Sequence, residues 1–136
     1  MTPERLVELA KEAMSHAYAP YSHFYVGAAL LCADGTVYQG CNIENAAYGP
    51  TNCAERTAFF KAISEGVRGF DRIAIGGGPA AESPSPGTAP WGVCRQVMAE
   101  FCGPGFVILL EGEDGQPVSP TLRELFPLGF GPDDLK

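Results

Sequence analysis

The sequence predicts an α/β protein, a three-layer α/β/α sandwich in which helices cover both faces of a mixed, about five-stranded sheet. Two observations carry this prediction: several segments have apolar residues at helical spacing, and short, strongly apolar runs typical of buried strands lie between them. Because parallel neighbours need crossover connections, strands that alternate with helices favour a mixed sheet. The length of 136 residues suits one well-formed core, so we expect a single domain over residues 1–136.

The chain opens with a predicted helix and a predicted hairpin. Thr2 can cap a helix that has Pro3 in its first position, and apolar residues at three- and four-residue steps continue this helix to near Pro20. Two extended segments follow at residues 25–32 and 36–42, and the Asp-Gly pair between them favours a tight turn. The first helix is therefore expected to precede two antiparallel strands.

The middle of the chain predicts a helix, a buried strand and a loop. The second helix begins near residue 52 or 53 and ends at Gly66, a residue suited to the left-handed end of a helix. Residues 72–75 have the composition of a buried strand. The segment 76–90 is rich in Gly, Pro, Ala and Ser, and we expect it to be a surface loop.

The last third of the chain predicts two more helices and a strand. Helical spacing runs over residues 92–101, and the apolar run 106–110 that follows is a predicted strand. A further short strand is expected near Pro117. Thr121 and Glu124 match a capping box that opens a short last helix.

Charge and composition exclude several classes of partner. Nine basic and sixteen acidic residues give a net charge of −7, which repels a polyphosphate backbone, so we expect no nucleic-acid partner. No window approaches the roughly 18 apolar residues of a membrane span, and the N-terminus lacks the pattern of a secretory signal. We therefore expect a cytoplasmic protein with no membrane partner. The five cysteines then indicate reduced thiols or metal ligands rather than a disulfide framework.

Two cysteines lie where predicted helices begin. The partial positive charge of a helix N-terminus favours the thiolate that binds metal, so Cys53 and Cys94 are candidate zinc ligands. Glu55 follows Cys53 by two residues and can lie beside the metal without binding it, as a general acid/base requires. The remaining thiols, Cys32, Cys41 and Cys102, are interpreted as small buried apolar residues.

These residues match most of the nucleobase-deaminase signature, which is His or Cys, one residue and Glu, followed later by Pro-Cys-x-x-Cys. Cys53 and Glu55 supply the first half, and Pro90 and Cys94 match the second. Trp91 stands where the second half has its first cysteine. An indole has no lone pair suited to coordination, so the sequence offers one thiolate fewer than the signature.

Nearly the whole chain resembles the small, homotetrameric, zinc-dependent cytidine deaminases. Besides the two halves of the signature, the resemblance runs through APYSHF at 19–24, VGAAL at 26–30, NIENAAY at 42–48 and LGF at 128–130. It implies a cytidine deaminase-like fold, a zinc cofactor, a pyrimidine nucleoside as substrate, and a homotetramer with shared active sites.

The resemblance also implies residue roles. Phe24 would pack against the pyrimidine, Asn42 and Glu44 would bind the ribose hydroxyls, and the main chain at Ala54 would help to hold the base. Two residues would support the ligand cysteines by hydrogen bonds, namely Arg56 and Gln96. Three would contact the active sites of neighbouring subunits, namely Ala46, Tyr48 and Phe130.

The implied activity is hydrolytic deamination of cytidine and deoxycytidine to uridine and deoxyuridine, with release of ammonia, as in pyrimidine salvage. Zinc-bound hydroxide would be the nucleophile and Glu55 the proton shuttle. An alternative is a catalytically impaired nucleoside-binding or regulatory relative that has lost zinc because of Trp91. His16, His23 and Cys41 are less favoured replacements for the missing ligand, and editing of bases within nucleic acid is the least favoured function.

Overall fold

A computed structural model of the protein describes residues 1–80, 83–85 and 92–135. The elements follow the predicted alternation of helices and strands. In chain order they are α1 (Pro3–Ala13), β1 (Tyr25–Cys32), β2 (Val37–Cys41), α2 (Ala54–Ser64), β3 (Phe70–Ala80), β4 (Ser83–Ser85), α3 (Gly92–Phe101), β5 (Val107–Glu111), β6 (Pro117–Val118) and α4 (Leu122–Leu125). Short 3-10 helices at Met14–His16 and Pro132–Leu135 complete the described elements.

The sheet is mixed, as the alternation of elements predicts. Five strands lie in the order β2-β1-β3-β5-β6, and β4 pairs with β3 outside this path. The pair β3/β5 is parallel and is connected through α3, whereas the remaining pairs are antiparallel. The predicted mixed sheet of about five strands is therefore confirmed.

Helices cover both faces of the sheet because neighbouring strand residues point to opposite sides. On one face, Leu6 and Ala10 of α1 pack in a cluster with Ala29 and Leu109. On the other, Phe59 of α2 lies in the larger cluster, which includes residues of α3 and α4. The three-layer arrangement is thus confirmed, and the second helical layer is the one that carries the candidate cysteines.

The start of α2 lies close against β2. A Cβ atom added to Gly40 would lie 2.4 Å from the carbonyl oxygen of Ala54 and 2.6 Å from the amide nitrogen of Ala58, so a side chain there meets backbone. Thr57 Oγ1 donates to the carbonyl oxygens of Cys41 and Cys53, each at 3.0 Å. These contacts fix the first turn of α2 relative to the sheet.

The first helix is shorter than predicted. It ends at Ala13 and passes through the 3-10 turn Met14–His16 instead of continuing to near Pro20. The amide of Tyr18 then donates to the carbonyl oxygen of Asn42 at 2.9 Å. The apolar spacing therefore overestimates the length of the helix, because a backbone partner from a distant segment holds the chain extended at Tyr18.

The expectation that residues 76–90 form a surface loop is wrong in part. Strand β3 continues to Ala80 and pairs with β1 as far as Tyr25 opposite Gly78, and β4 at Ser83–Ser85 pairs with β3. Glycine has low intrinsic strand propensity, but the backbone of β1 supplies hydrogen-bonding partners that the composition does not reveal. Residues 81–82 and 86–91 lie outside the described part of the chain.

The predictions for the last third of the chain agree more closely with the structure. The predicted helix at 92–101 coincides with α3, and the strand expected near Pro117 is β6. The capping box is formed in both directions between Thr121 and Glu124. Within the described residues, the helices are all too short or too polar to cross a membrane.

Candidate metal and active site

The two candidate cysteines lie at helix N-termini. Cys53 is the N-cap of α2 and Cys94 lies in the first turn of α3. Both are buried, and the Cys53 sulfur accepts a hydrogen bond from the amide of Arg56 at 3.4 Å. Unpaired N–H groups and the helix dipole thus favour the thiolate at both positions.

The structure joins Cys53 and Cys94 by a disulfide, although the sequence favours reduced thiols or metal ligands. Their Cα atoms are 7.1 Å apart, above the roughly 4.4–6.8 Å usual for a disulfide. The starts of α2 and α3 therefore hold the two candidate ligand sulfurs side by side, and only their reduction would make both available to an ion. Cys32, Cys41 and Cys102 are free thiols.

Glu55 lies beside the cysteine pair. One ligand atom from each of Cys53, Glu55 and Cys94 can be chosen so that all three lie within 4.8 Å of one another. Among the described residues this is the one group of its kind, and neither His16 nor His23 belongs to it.

Glu55 is 3% exposed as a residue. Burial raises its pKa to about 7, opposed by a hydrogen bond from its own backbone and by the charge of Arg56. The described ion pairs do not include this carboxyl. A carboxyl in this environment can exist in both its neutral and its charged form near neutral pH.

Arg56 contacts Cys53, whereas the described hydrogen bond of the Gln96 side chain is to the C-terminal segment. Arg56 donates from Nε to the Cys53 sulfur at 3.2 Å and from Nη2 to the Thr51 carbonyl oxygen at 3.2 Å. Gln96 instead donates from Nε2 to the carbonyl oxygen of Phe130 at 2.8 Å. Its amide therefore links α3 to the C-terminal segment.

A cleft of about 610 Å³ contains Arg56 in its wall. It also includes Glu44 and Tyr48, two further residues that the sequence nominates, whereas Phe24, Asn42 and Ala54 do not line it. Among the described residues, the lining consists of Tyr21, Ser22, Glu44, Asn45, Tyr48, Gly49, Thr51, Arg56 and Val93.

Glu44 holds the turn that precedes β1. Its Oε1 accepts hydrogen bonds from the amides of Tyr21 at 3.0 Å and Ser22 at 3.1 Å, and its Oε2 accepts one from the Ser22 hydroxyl. Partial burial pushes the pKa of Glu44 upward, but these hydrogen bonds outweigh it and hold the pKa below its ordinary value. Sequence reasoning missed Ser22 as a partner, although it lies within the 19–24 motif.

Asn42 is a buried polar side chain with two main-chain partners. Its Oδ1 accepts from the amide of Val26 at 2.9 Å, and its Nδ2 donates to the carbonyl oxygen of Phe24 at 2.9 Å. The same residue therefore ties the end of β2 to the start of β1. In this way it sets the position of Phe24, whose side chain is partly exposed.

The residues nominated for contact with other subunits lie at the surface. Ala46 is exposed, Tyr48 is 91% exposed and Phe130 is 56% exposed. Ala54 differs from them because it is fully buried as the first residue of α2. Tyr48 and Phe130 are thus among the aromatic side chains that face solvent in the described chain.

The α/β/α sandwich, the paired cysteines at helix N-termini and the buried glutamate beside them define a metal-dependent hydrolytic type of site. The family model for the cytidine and deoxycytidylate deaminase zinc-binding region matches residues 1–110. The chain belongs to the cytidine and deoxycytidylate deaminase family.

The similarity to individual family members extends over nearly the full chain. A cytidine deaminase of Sporosarcina psychrophila is 50% identical over 135 residues, covering 99% of this chain and 96% of the relative. A cytidine deaminase of Halalkalibacterium halodurans is 48% identical over 135 residues, covering 99% of this chain and 98% of the relative. The crystal structure of cytidine deaminase from Burkholderia pseudomallei matches with a TM-score of 0.85 and 46% identity, covering 96% of this chain and all of that chain (100%).

The donor atoms fit the metal that the family implies. Thiolate sulfur and carboxylate oxygen are both ordinary zinc ligands, and they converge here at Cys53, Cys94 and Glu55. The match to a zinc-binding region and this cluster together support zinc as the cofactor. Pro90 and Trp91, the signature positions that precede α3 in the sequence, lie outside the described residues.

Proposed function

We propose that the protein hydrolyses cytidine and deoxycytidine to uridine and deoxyuridine with release of ammonia. The observation that carries the proposal is the placement of buried Glu55 beside Cys53 and Cys94 at the starts of two helices. Relatives about half identical over the full chain are named cytidine deaminase, which supports the same reaction here.

Cys53 and Cys94 would hold the zinc ion, with Arg56 stabilising the Cys53 thiolate by its hydrogen bond. When bound, zinc supplies a water of lowered pKa as the nucleophile for the pyrimidine carbon that bears the amino group. Glu55 would take one proton from the attacking water and pass it to the ring nitrogen. It would then take the second proton, from the new hydroxyl on the pyrimidine carbon, and pass it to the amino group, which leaves as ammonia when the carbonyl forms. Its burial excludes bulk water from these transfers.

The nucleoside would occupy the region around the cleft. Glu44 and Asn42 bind the ribose hydroxyls in this proposal, and Phe24 packs against the pyrimidine. Ala54 is the first residue of α2, and its N–H is one of the unpaired donors at a helix start, which makes it a suitable donor to the base. Both polar ends of Asn42 already have main-chain partners, so it would also hold the shape of the site.

A homotetramer with shared active sites forms part of the proposal. Exposed Tyr48 and Phe130, together with Ala46, would contact the sites of neighbouring subunits. Closed symmetry is the usual way in which identical surfaces bury such side chains. Sedimentation of the wild-type protein and of Tyr48→Ser tests this: the variant should dissociate, while Val118→Ser on the β6 edge should not.

We place the protein in the cytoplasm as one domain over residues 1–136. A reducing compartment keeps thiols such as Cys53 and Cys94 available as metal ligands, which supports this location. The alternative of a nucleoside-binding relative without turnover is not favoured, since Glu55 and the cysteine pair are grouped and the similar proteins are named as enzymes.

The test is a spectrophotometric assay with reduced, zinc-supplemented protein. Conversion of cytidine to uridine changes the ultraviolet absorbance, and we expect it in the wild-type protein and not in Glu55→Ala. Glu65→Ala is the matched control, because it changes an exposed glutamate of the same helical segment. Absence of conversion where another cytidine deaminase is active would refute the proposal.

A further inference from the structure

The metal site of this chain has an unusual ligand count. Catalytic zinc sites generally have three protein ligands and one open position. The family signature supplies three from its cysteine or histidine positions, but residue 91 is tryptophan here, and an indole cannot coordinate the ion. Cys53 and Cys94 therefore leave one protein position to be filled by another residue.

Glu55 is placed to fill that position. Its carboxylate belongs, with Cys53 and Cys94, to the one group in the described chain whose potential ligand atoms all lie within 4.8 Å of one another. All three residues are buried, with exposures of 5% for Cys53, 3% for Glu55 and 0% for Cys94. The described histidines and Cys41 lie outside this group.

The charges in this group also favour a shared cation. Once the Cys53–Cys94 disulfide is reduced, two thiolates and a carboxylate are costly to bury unless an opposite charge compensates them. Arg56 reaches Cys53, but among the described residues no ion pair neutralises the Glu55 carboxylate. A divalent ion bound by all three residues would remove most of this cost.

We propose that Glu55 is the third protein ligand of the metal in this chain, in addition to its function in proton transfer. A carboxylate has two oxygen atoms, so ligation through one leaves the other for protons. The inference rests on the zinc site of the proposed function. It differs from the pattern of the signature, in which the glutamate is not a ligand.

The test is a double-mutant cycle on zinc affinity, measured under reducing conditions by competition with a chromogenic chelator. In the wild-type background, Glu55→Gln should weaken zinc binding by at least about tenfold, the lower end of what loss of a supporting residue costs. In the Trp91→Cys background, a third thiolate is present, so the same substitution should cost less than about threefold. Glu65→Gln, on the exposed end of the helix, should leave the affinity unchanged.

A second measurement does not depend on the Trp91→Cys variant being folded. Cobalt(II) bound to the reduced wild-type protein should give visible absorption bands that shift in Glu55→Gln, because a ligand is replaced. Circular dichroism confirms that each variant compared is folded.

The possible outcomes separate this inference from the proposed function. Equal zinc affinity and equal cobalt spectra in the wild-type protein and Glu55→Gln would overturn the inference, while cytidine turnover by the wild-type protein would leave the deaminase proposal intact. A wild-type protein that binds no zinc and has no turnover would overturn both.

Discussion

The Nε atom of Arg56 lies 3.2 Å from the sulfur of Cys53, and the same guanidinium donates to the carbonyl oxygen of Thr51. One side chain thus connects the N-cap of α2 with the segment before it. In the reduced protein, the positive charge would favour the thiolate form of Cys53 and orient its sulfur, as residues around metal ligands generally do.

Replacement of Arg56 tests this relationship. We expect Arg56→Gln to lower zinc affinity by about 10- to 100-fold, because the thiolate loses a charged hydrogen-bond donor. Chelator competition measures the effect. Arg68→Gln is the control, since Arg68 donates to carbonyl oxygens near the opposite end of α2, and equal losses in both variants would contradict a specific effect at Cys53.

Replacement of Asn42 should destabilise the whole protein. Asn42→Ala leaves the Val26 amide and the Phe24 carbonyl without their partner, and an unsatisfied buried group costs about 1–3 kcal/mol. Urea unfolding measures the free energy change. Asn45→Ala removes an exposed amide from the same loop and should cost less, so a similar loss in both variants would argue against the main-chain bonds as the cause.

The carboxyl of Glu44 should contribute to the pH dependence of stability. Its pKa in the folded protein lies below the ordinary value of 4.5, so the stabilisation is present above that value and is lost as the pH falls through the folded-state pKa. Ser22→Ala removes one of the hydrogen bonds to the charged form, and the pKa of Glu44 should therefore rise.

Carbon-detected NMR titration of Glu44 measures this shift. The acid unfolding midpoint of Ser22→Ala should move to higher pH in parallel. Ser64→Ala is a suitable control because its hydroxyl bonds a carbonyl oxygen of α2 and not a carboxylate. An unchanged Glu44 pKa in Ser22→Ala would show that the two amide donors are sufficient.

A side chain at position 40 should separate β2 from α2. Gly40→Ala places a methyl group 2.4 Å from the Ala54 carbonyl oxygen, and overpacking of this kind costs about 1–3 kcal/mol. Gly105→Ala, where the added methyl meets open space, is the control. Chemical denaturation should give a clearly lower free energy of unfolding for Gly40→Ala than for Gly105→Ala, and equal values would contradict the close approach.

Elements with strong local signals could be predicted from the sequence. The predicted strand at 25–32 has the bounds of β1, and the predicted helix at 92–101 has the bounds of α3. The Thr121 capping box is equally local, since both its hydrogen bonds join residues three apart. The extension of β3 to Ala80 depends on pairing with β1, and that partner is distant in the sequence.

The candidate site also combines features that local sequence spacing predicts with contacts that it does not predict. Cys53 and Glu55 lie two residues apart, and Cys94 opens another recognisable helix, so local spacing was sufficient to nominate them. The bonds from Ser22 to Glu44 cross 22 residues, and that from Gln96 to Phe130 crosses 34. No local pattern encodes such contacts.

By itself, the sequence predicted most of the order of helices and strands, though not β4, and nominated Cys53 and Cys94 as metal ligands, because these depend on spacing within short segments. Its resemblance over nearly the whole chain indicated the deaminase family. Tertiary structure decided that Glu55 is buried beside both cysteines, that Asn42 and Glu44 hold the turn before β1, and that Gln96 contacts the C-terminal segment. The physical reason is that burial and hydrogen-bond pairing depend on which distant segments the sheet brings together.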